Sequence, residues 1–225
     1  MSSLYKYMTN QFAEELLSAG SIKIGTLYEY WQEEKLGSEI GDTREAMAFC
    51  TVLKNDFDRV LSDADNTSTY ATFVRRMIAE TPGARMSERF GAYYMPADMY
   101  TFCSSAKLST QLMKEFGYDA CVEIFDVDRF VQVVSNGLVG RATRFLGGWH
   151  CVYRSRSFTY DEAHKLPSPE VIKEPKYAHQ CEVRLLWWPN YPKGKYDPDL
   201  NPYPPISGSP TFQVGSLRSS LPATM

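Results

Sequence analysis

The chain has 225 residues, of which 44% are hydrophobic and 23% are charged, and both values are typical of a globular protein with a sizeable core. Its formal net charge of -3 argues against a general electrostatic attraction to nucleic acid or to an anionic membrane. No apolar run approaches the roughly 20 residues of a membrane-spanning helix, and the first residues lack a secretory pattern. The five cysteines are scattered singly, which predicts free thiols. Together, these features predict a soluble, cytoplasmic protein.

The periodicity at the start of the chain predicts strand, helix and strand in quick succession. Residues 4–8 form an aromatic strand, Thr9 or Asn10 can cap the helix that follows, and Gly20 ends it. Residues 21–27 then alternate as a second strand. Such tight alternation is typical of an α+β or α/β domain.

Later segments extend the same mixture of elements. The pattern predicts strands at 46–53, 99–104 and 120–125, helices at 70–80 and 109–116, a strand or short helix at 127–134, and alternation at 151–159. Residues 137–150 are rich in glycine and arginine, and the charged loop 33–45 contains a glycine-bearing stretch, 37–42, that could cover a cleft. We expect one domain over 1–188, followed by a Pro/Gly/Ser-rich extension over 189–225.

The stretch 177–188 reads as a strand with a polar face and an apolar face. A period of two places Gln180, Glu182 and Arg184 on one face, with Cys181, Val183 and Leu185 on the other. The polar face is either a solvated surface or the floor of a cleft. In a cleft, a glutamate on a rigid strand can hold a sugar hydroxyl or stabilise a developing cation.

Three polar groupings occur in the order Tyr5-Lys6-Tyr7, Cys103-Ser104-Ser105 and Gln180-Cys181-Glu182. Their order resembles mono-ADP-ribosyltransferases of the arginine–serine–glutamate type, although lysine replaces the first-strand arginine and the serine motif is partial. The chain is also similar to an uncharacterised bacterial and phage family. Its members begin Leu-Tyr-Lys-Tyr, carry a Phe-Cys-Phe-Ser-type strand, and end with a Glu-x-Glu-x-Arg strand.

The resemblance implies an α+β fold like that of ADP-ribosyltransferases, with a twisted, mostly antiparallel sheet split around a cleft and flanked by helices. It also implies mono-ADP-ribosyl transfer from NAD to a macromolecular target, protein or nucleic acid, in a bacterial or phage conflict system. Glu182 would stabilise the ribosyl cation and accept a hydrogen bond from the ribose 2′-hydroxyl, and Gln180 would orient the acceptor. The residues expected to contact NAD are Lys6, Tyr7, Tyr28 (or Tyr30), Ser104, Ser105 and Arg184.

Each of these residues also has a structural interpretation. Glu182 can be a surface glutamate paired with Arg184, Lys6 an outward-facing strand lysine, and the tyrosines core residues. At the level of function, the rivals are a non-catalytic module that senses a nucleotide or blocks a protein, and a metal-dependent nuclease or hydrolase. The spacing of histidines and cysteines predicts no metal site.

A basic segment also has two interpretations. Its arginines, Arg141, Arg144, Arg154 and Arg156, form either a solvated rim or a contact for diphosphate or nucleic acid. The acidic net charge means that any such contact must be local.

Overall fold

The computed structural model describes residues 3–31, 46–81, 83, 88–190 and 211–213. The fold is α+β, with a mostly antiparallel sheet and flanking helices. The chain divides into two compact units. The larger consists of Met1–Glu45, Ala97–Cys151 and Lys176–Met225, and the smaller of Ala46–Pro96 and Val152–Pro175. The expectation of one domain over 1–188 stays a prediction, because compact units can belong to one domain.

In chain order, the strands are β1 Leu4–Met8, β2 Ser21–Lys23, β3 Gly25–Thr26, β4 Ala48–Leu53, β5 Arg89–Tyr94, β6 Tyr100–Ser105, β7 Ala120–Ile124, β8 Ala142–His150, β9 Val152–Tyr153, β10 Ser157–Thr159, β11 Ile172–Lys173, β12 Glu182–Pro189 and β13 Thr211–Gln213. The α-helices are α1 Asn10–Ala19, α2 Phe57–Ser62, α3 Thr69–Glu80, α4 Thr110–Glu115 and α5 Val127–Gly137. Short 3-10 helices include Leu27–Trp31, Tyr160–Lys165 and Pro175–Gln180.

Within the described residues, the main sheet of the larger unit has six strands. Their order is β7-β1-β6-β12-β8, with β3 also paired to β6, and every pair is antiparallel. A separate ribbon pairs β2 with β13. Because β12 lies between β6 and β8, its backbone is held on both sides.

The core of the larger unit lies on one face of this sheet. Trp187 of β12, Phe102 of β6 and Phe130 of α5 are all at most 2% exposed, and the two phenylalanine rings lie 4.8 Å apart. Leu4 and Leu16 join the same cluster from β1 and α1. Alternation along β12 therefore places Val183, Leu185 and Trp187 in the core and turns Glu182 and Arg184 to the other face.

The smaller unit has its own core. Strand β4 pairs with β5 antiparallel and with β10 parallel, while β9 and β11 form a parallel pair. Helix α3 buries Tyr70, Val74 and Ile78 against the three-stranded sheet of β10, β4 and β5. The rings of Tyr70 and Phe158 lie 5.0 Å apart.

Several elements predicted from periodicity are confirmed with shifts of one or two residues. They include β1, α1, α3, β6 and β7. Gly20 ends α1 in a left-handed conformation, as glycine commonly does at a helix end. Residues 127–134, predicted as a strand or a short helix, belong to helix α5. The predicted strand 21–27 divides into β2 and β3, which belong to different sheets.

The predicted strand 177–188 starts five residues late. Residues Pro175–Gln180 form a 3-10 helix, and Cys181 has a positive φ of 45°, which ends that turn and reorients the chain before Glu182. The prediction that Gln180 shares a strand face with Glu182 is therefore wrong. The predicted loop 33–45 and most of the predicted extension 189–225 lie outside the described residues.

All five cysteines are free thiols. Cys50 and Cys151 are buried, whereas Cys103, Cys121 and Cys181 are partly buried. Burial raises the pKa of the Cys50 thiol to about 12 and that of Cys121 to about 11, so both are protonated near neutral pH. Among the described residues, no helix has the length and apolar character needed to cross a membrane.

We expect Phe130→Ala to lower the free energy of unfolding by about 3–5 kcal/mol, because it removes a fully buried ring and leaves a cavity. Urea titration followed by tryptophan fluorescence measures this loss. Phe125→Ala is the matched control, since Phe125 is 59% exposed and its loss should cost less than about 1 kcal/mol. Equal losses in the two variants would contradict the assigned core.

Candidate functional site

The site begins where strand β6 changes its neighbour. Strand β12 pairs along one edge of β6, from Ser105 to Tyr100, so β1 and β3 must share the other edge. Strand β1 pairs there only at Tyr5–Ser105, and β3 takes over at Gly25–Thr101. The Cys103 carbonyl lies between these two contacts and accepts a 2.8 Å hydrogen bond from Lys6 Nζ. The Lys6 amine therefore donates the hydrogen bond that a backbone amide of a neighbouring strand would otherwise donate to this carbonyl.

Glu182 and Arg184 form a buried ion pair on the neighbouring strand. The Arg184 Nε lies 2.6 Å from Glu182 Oε1, and the two residues are only 1% and 7% exposed, respectively. They lie opposite Cys103 and Ser105 of β6. A charge-assisted hydrogen bond of this length fixes the position of the carboxylate. Because both residues are buried, the interpretation of this strand face as a solvated surface is wrong at Glu182 and Arg184.

Electrostatic interactions join this pair to Lys6 and Tyr30. Burial lowers the pKa of Lys6, while Cys103 and Glu182 act in the opposite direction. The pKa of Tyr30 is raised well above its ordinary value, first by burial and then by Cys103, with which its hydroxyl hydrogen-bonds, and by Glu182. Tyr30 is therefore neutral near neutral pH. We call Lys6, Tyr30, Cys103, Glu182 and Arg184 the Glu182 cluster.

A cavity of about 530 Å³ adjoins the Glu182 cluster. Its lining includes aromatic rings and charges of both signs, contributed by Tyr7, Phe12, Tyr30, Tyr118, Lys6, Lys23, Glu15 and Glu29. This volume falls within the range of small-molecule sites. As far as the described residues show, Glu182 is not part of the lining, and Lys6 and Tyr30 connect the cavity to the carboxylate.

The two serines face opposite sides of β6. Ser104 lies on the core side, where its hydroxyl donates to the Val183 carbonyl at 3.2 Å. Ser105 lies opposite Glu182, but its hydroxyl contacts the carbonyls of Gln180 at 2.8 Å and Lys107 at 2.9 Å. Ser105 thus holds the backbone turn that precedes Glu182.

Two of the predicted tyrosines have structural partners. The Tyr7 hydroxyl donates to the Lys107 carbonyl at 2.7 Å and accepts from the Ser109 amide at 2.8 Å. The Tyr28 amide donates to Asp98 at 3.0 Å in a buried position. Tyr7 also lines the cavity, so the structure brings Tyr7, Lys6 and Tyr30 together and places Tyr28 elsewhere.

The arginines of the basic segment are divided between the two units. Arg141 and Arg144 belong to the larger unit and are exposed, while Arg154 and Arg156 belong to the smaller. Arg156 is 4% exposed and donates to the Ile172 carbonyl at 3.2 Å, so the solvated-rim interpretation is wrong at this residue.

Sequence reasoning missed two features of the site. The Cys103 carbonyl is a backbone group, and its contact with Lys6 spans 97 positions of the chain, so no local pattern indicates it. Trp149 is opposite Arg184 on β8, in a segment that the sequence presents as glycine-rich. Within the described part of the chain, no group of three or more His, Cys, Asp and Glu side chains is placed to hold a metal ion.

Comparisons of this chain with protein-family models, with curated proteins and with solved structures find no match.

We expect the stability of the wild type relative to Lys6→Met to increase as the pH rises toward about pH 10, where an unperturbed lysine titrates. The pKa of Lys6 is lowered in the folded protein, so the unfolded chain binds more protons in this range and a rise in pH favours folding. Urea unfolding at several pH values measures the difference. An unchanged or falling difference would contradict the lowered pKa of Lys6.

We expect Arg184→Met to lower the free energy of unfolding by about 3–5 kcal/mol, because it leaves the Glu182 carboxylate buried without its cation. The double variant Glu182→Gln/Arg184→Met should regain part of this loss. Arg76→Met is the control, since it breaks the partly exposed Arg76–Glu80 pair of α3, where we expect less than about 1 kcal/mol. Equal losses of unfolding free energy in Arg184→Met and Arg76→Met would contradict the structural importance of the Glu182–Arg184 pair.

Proposed function

We propose that this protein is a mono-ADP-ribosyltransferase that transfers ADP-ribose from NAD to a macromolecular target in a bacterial or phage conflict system. The observation that carries the proposal is the buried Glu182 carboxylate, fixed by Arg184 on a central strand and coupled to Lys6 and Tyr30 beside a cavity. The change of neighbours along β6 supports an ADP-ribosyltransferase-like split sheet.

The chemistry of the transfer explains why a fixed carboxylate is needed. When the bond between nicotinamide and ribose breaks, nicotinamide leaves with the bonding electron pair and the sugar becomes cationic. Glu182 stabilises that cation and accepts a hydrogen bond from the ribose 2′-hydroxyl. The acceptor nucleophile then attacks the anomeric carbon and loses its proton. Arg184 keeps the carboxylate ionised and holds it in one position.

The cavity would take the NAD substrate. The Lys6 amine offsets negative charge of the diphosphate, and the rings of Tyr7 and Tyr30 offer faces on which a flat nicotinamide ring can stack. Because Lys6 and Tyr30 belong both to the cavity lining and to the Glu182 cluster, they would bring the ribose toward the carboxylate. Gln180 is buried in the turn before β12. Its role would be to orient the acceptor nucleophile by holding the conformation of that turn.

Nicotinamide release and transfer of labelled ADP-ribose to protein, RNA and DNA test the proposal. We expect Glu182→Gln to reduce both by at least about 100-fold, because it removes the charge that stabilises the cation. The amide oxygen of the variant can still accept from Arg184, so the fold should persist, and circular dichroism checks this. Glu80→Gln, in the smaller unit, should react as the wild type does. Equal turnover by Glu182→Gln and wild type would refute the assignment.

One observation favours a second function, a non-catalytic module that senses a nucleotide. Arg184 already occupies a Glu182 oxygen at 2.6 Å, so the carboxylate can serve the structure without meeting a sugar. Calorimetry with NAD and ADP-ribose separates the two functions. A sensor binds either ligand and releases no nicotinamide, and Tyr30→Ala weakens that binding by removing a ring from the cavity.

A further inference from the structure

Strand β8 forms the edge of the described sheet next to the Glu182 cluster. Its Trp149 lies directly opposite Arg184, and its Arg144 lies opposite Trp188. Directly opposed residues of antiparallel strands share a sheet face, so both β8 residues lie on the face that carries Glu182. The strip of interest comprises Arg144 and Trp149 of β8, and we call it the β8 strip.

Trp149 is a large aromatic side chain held in an exposed position. It is 40% exposed, and its ring lies across Gly147, where an added β-carbon would be only 2.7 Å from the ring. The glycine at 147 therefore makes room for the indole on the strand. A tryptophan presented in this way offers a flat apolar surface of the kind that binding sites use.

The charge of the β8 strip is positive in a chain whose net charge is negative. Arg144 is exposed, and the sequence contains no acidic residue between Asp128 and Asp161. The strip thus combines a stacking surface with a cation, Arg144, whose guanidinium fork matches phosphate oxygens.

We propose that the β8 strip binds single-stranded nucleic acid, with a base stacked on Trp149 and a backbone phosphate on Arg144. Aromatic and basic side chains together are the usual basis of single-strand binding, because every base has a π face and every nucleotide a phosphate. If the proposed transferase function holds, this nucleic acid is the acceptor, since Trp149 lies opposite the residue that fixes Glu182.

Fluorescence anisotropy with labelled single-stranded DNA and RNA of about 12 nucleotides tests the proposal at low salt. We expect Trp149→Ala to weaken binding at least about fivefold, because it removes a stacking surface. Arg144→Ala should lower the slope of log affinity against log salt by about 0.7, the effect of one lost phosphate contact on a single strand. Phe125→Ala and Arg129→Ala, which change exposed residues of the same types elsewhere in the larger unit, should bind as the wild type does.

The proposal is overturned if the wild-type protein binds neither oligonucleotide, or if it binds the duplex of the same sequence more tightly. It is also overturned if both strip variants keep the affinity and the salt slope of the wild type. The nicotinamide assay distinguishes this failure from failure of the proposed function. Binding without nicotinamide release leaves the β8 strip in place and removes the transferase. Label transfer to protein, with no oligonucleotide binding, removes the strip and leaves the transferase.

Discussion

The buried ion pair between Glu182 and Arg184 is the interaction on which the rest of the site depends. Each charge costs several kcal/mol to take out of water, so the pair is tolerated only with close geometry, and here the Nε–Oε1 distance is 2.6 Å. Strand β12 provides that geometry because it is hydrogen-bonded to β6 on one side and to β8 on the other. Trp187 and its neighbours anchor the opposite face of the same strand in the core. The carboxylate is therefore held by packing as well as by charge.

The charge balance of the Glu182 cluster follows from this arrangement. It contains one carboxylate, one guanidinium and the Lys6 amine, while Tyr30 stays neutral because its pKa is raised. With Lys6 protonated, the cluster carries one positive charge more than Glu182 can balance. The other charged residues of the cavity lining are Lys23, Glu15 and Glu29, which together carry one negative charge and offset that excess.

The sequence predicts the elements whose signals are local and leaves out those that depend on distant partners. Strand β1 alternates and helix α3 has helical spacing, so both were predictable within a few residues. Strand β8 was not, because Gly147 and Gly148 interrupt its alternation and its partner β12 lies far along the chain. The start of β12 was misplaced because a positive φ at Cys181 is a conformation that residue type does not indicate. In the site, Glu182 could be singled out by its pattern, whereas its burial and the Lys6–Cys103 contact required the fold.

The polar site and the surface beside it form one row across the sheet. Cys103 of β6, Arg184 of β12 and Trp149 of β8 lie directly opposite one another, so the Lys6 contact, the ion pair and the exposed indole are successive positions on neighbouring strands. Groups fixed in this way keep their spacing, because paired strands are about 4.8 Å apart. Glu182 does not line the cavity, so Lys6 and Tyr30 link the cavity to the carboxylate on one side, and Arg184 separates the carboxylate from the exposed indole on the other.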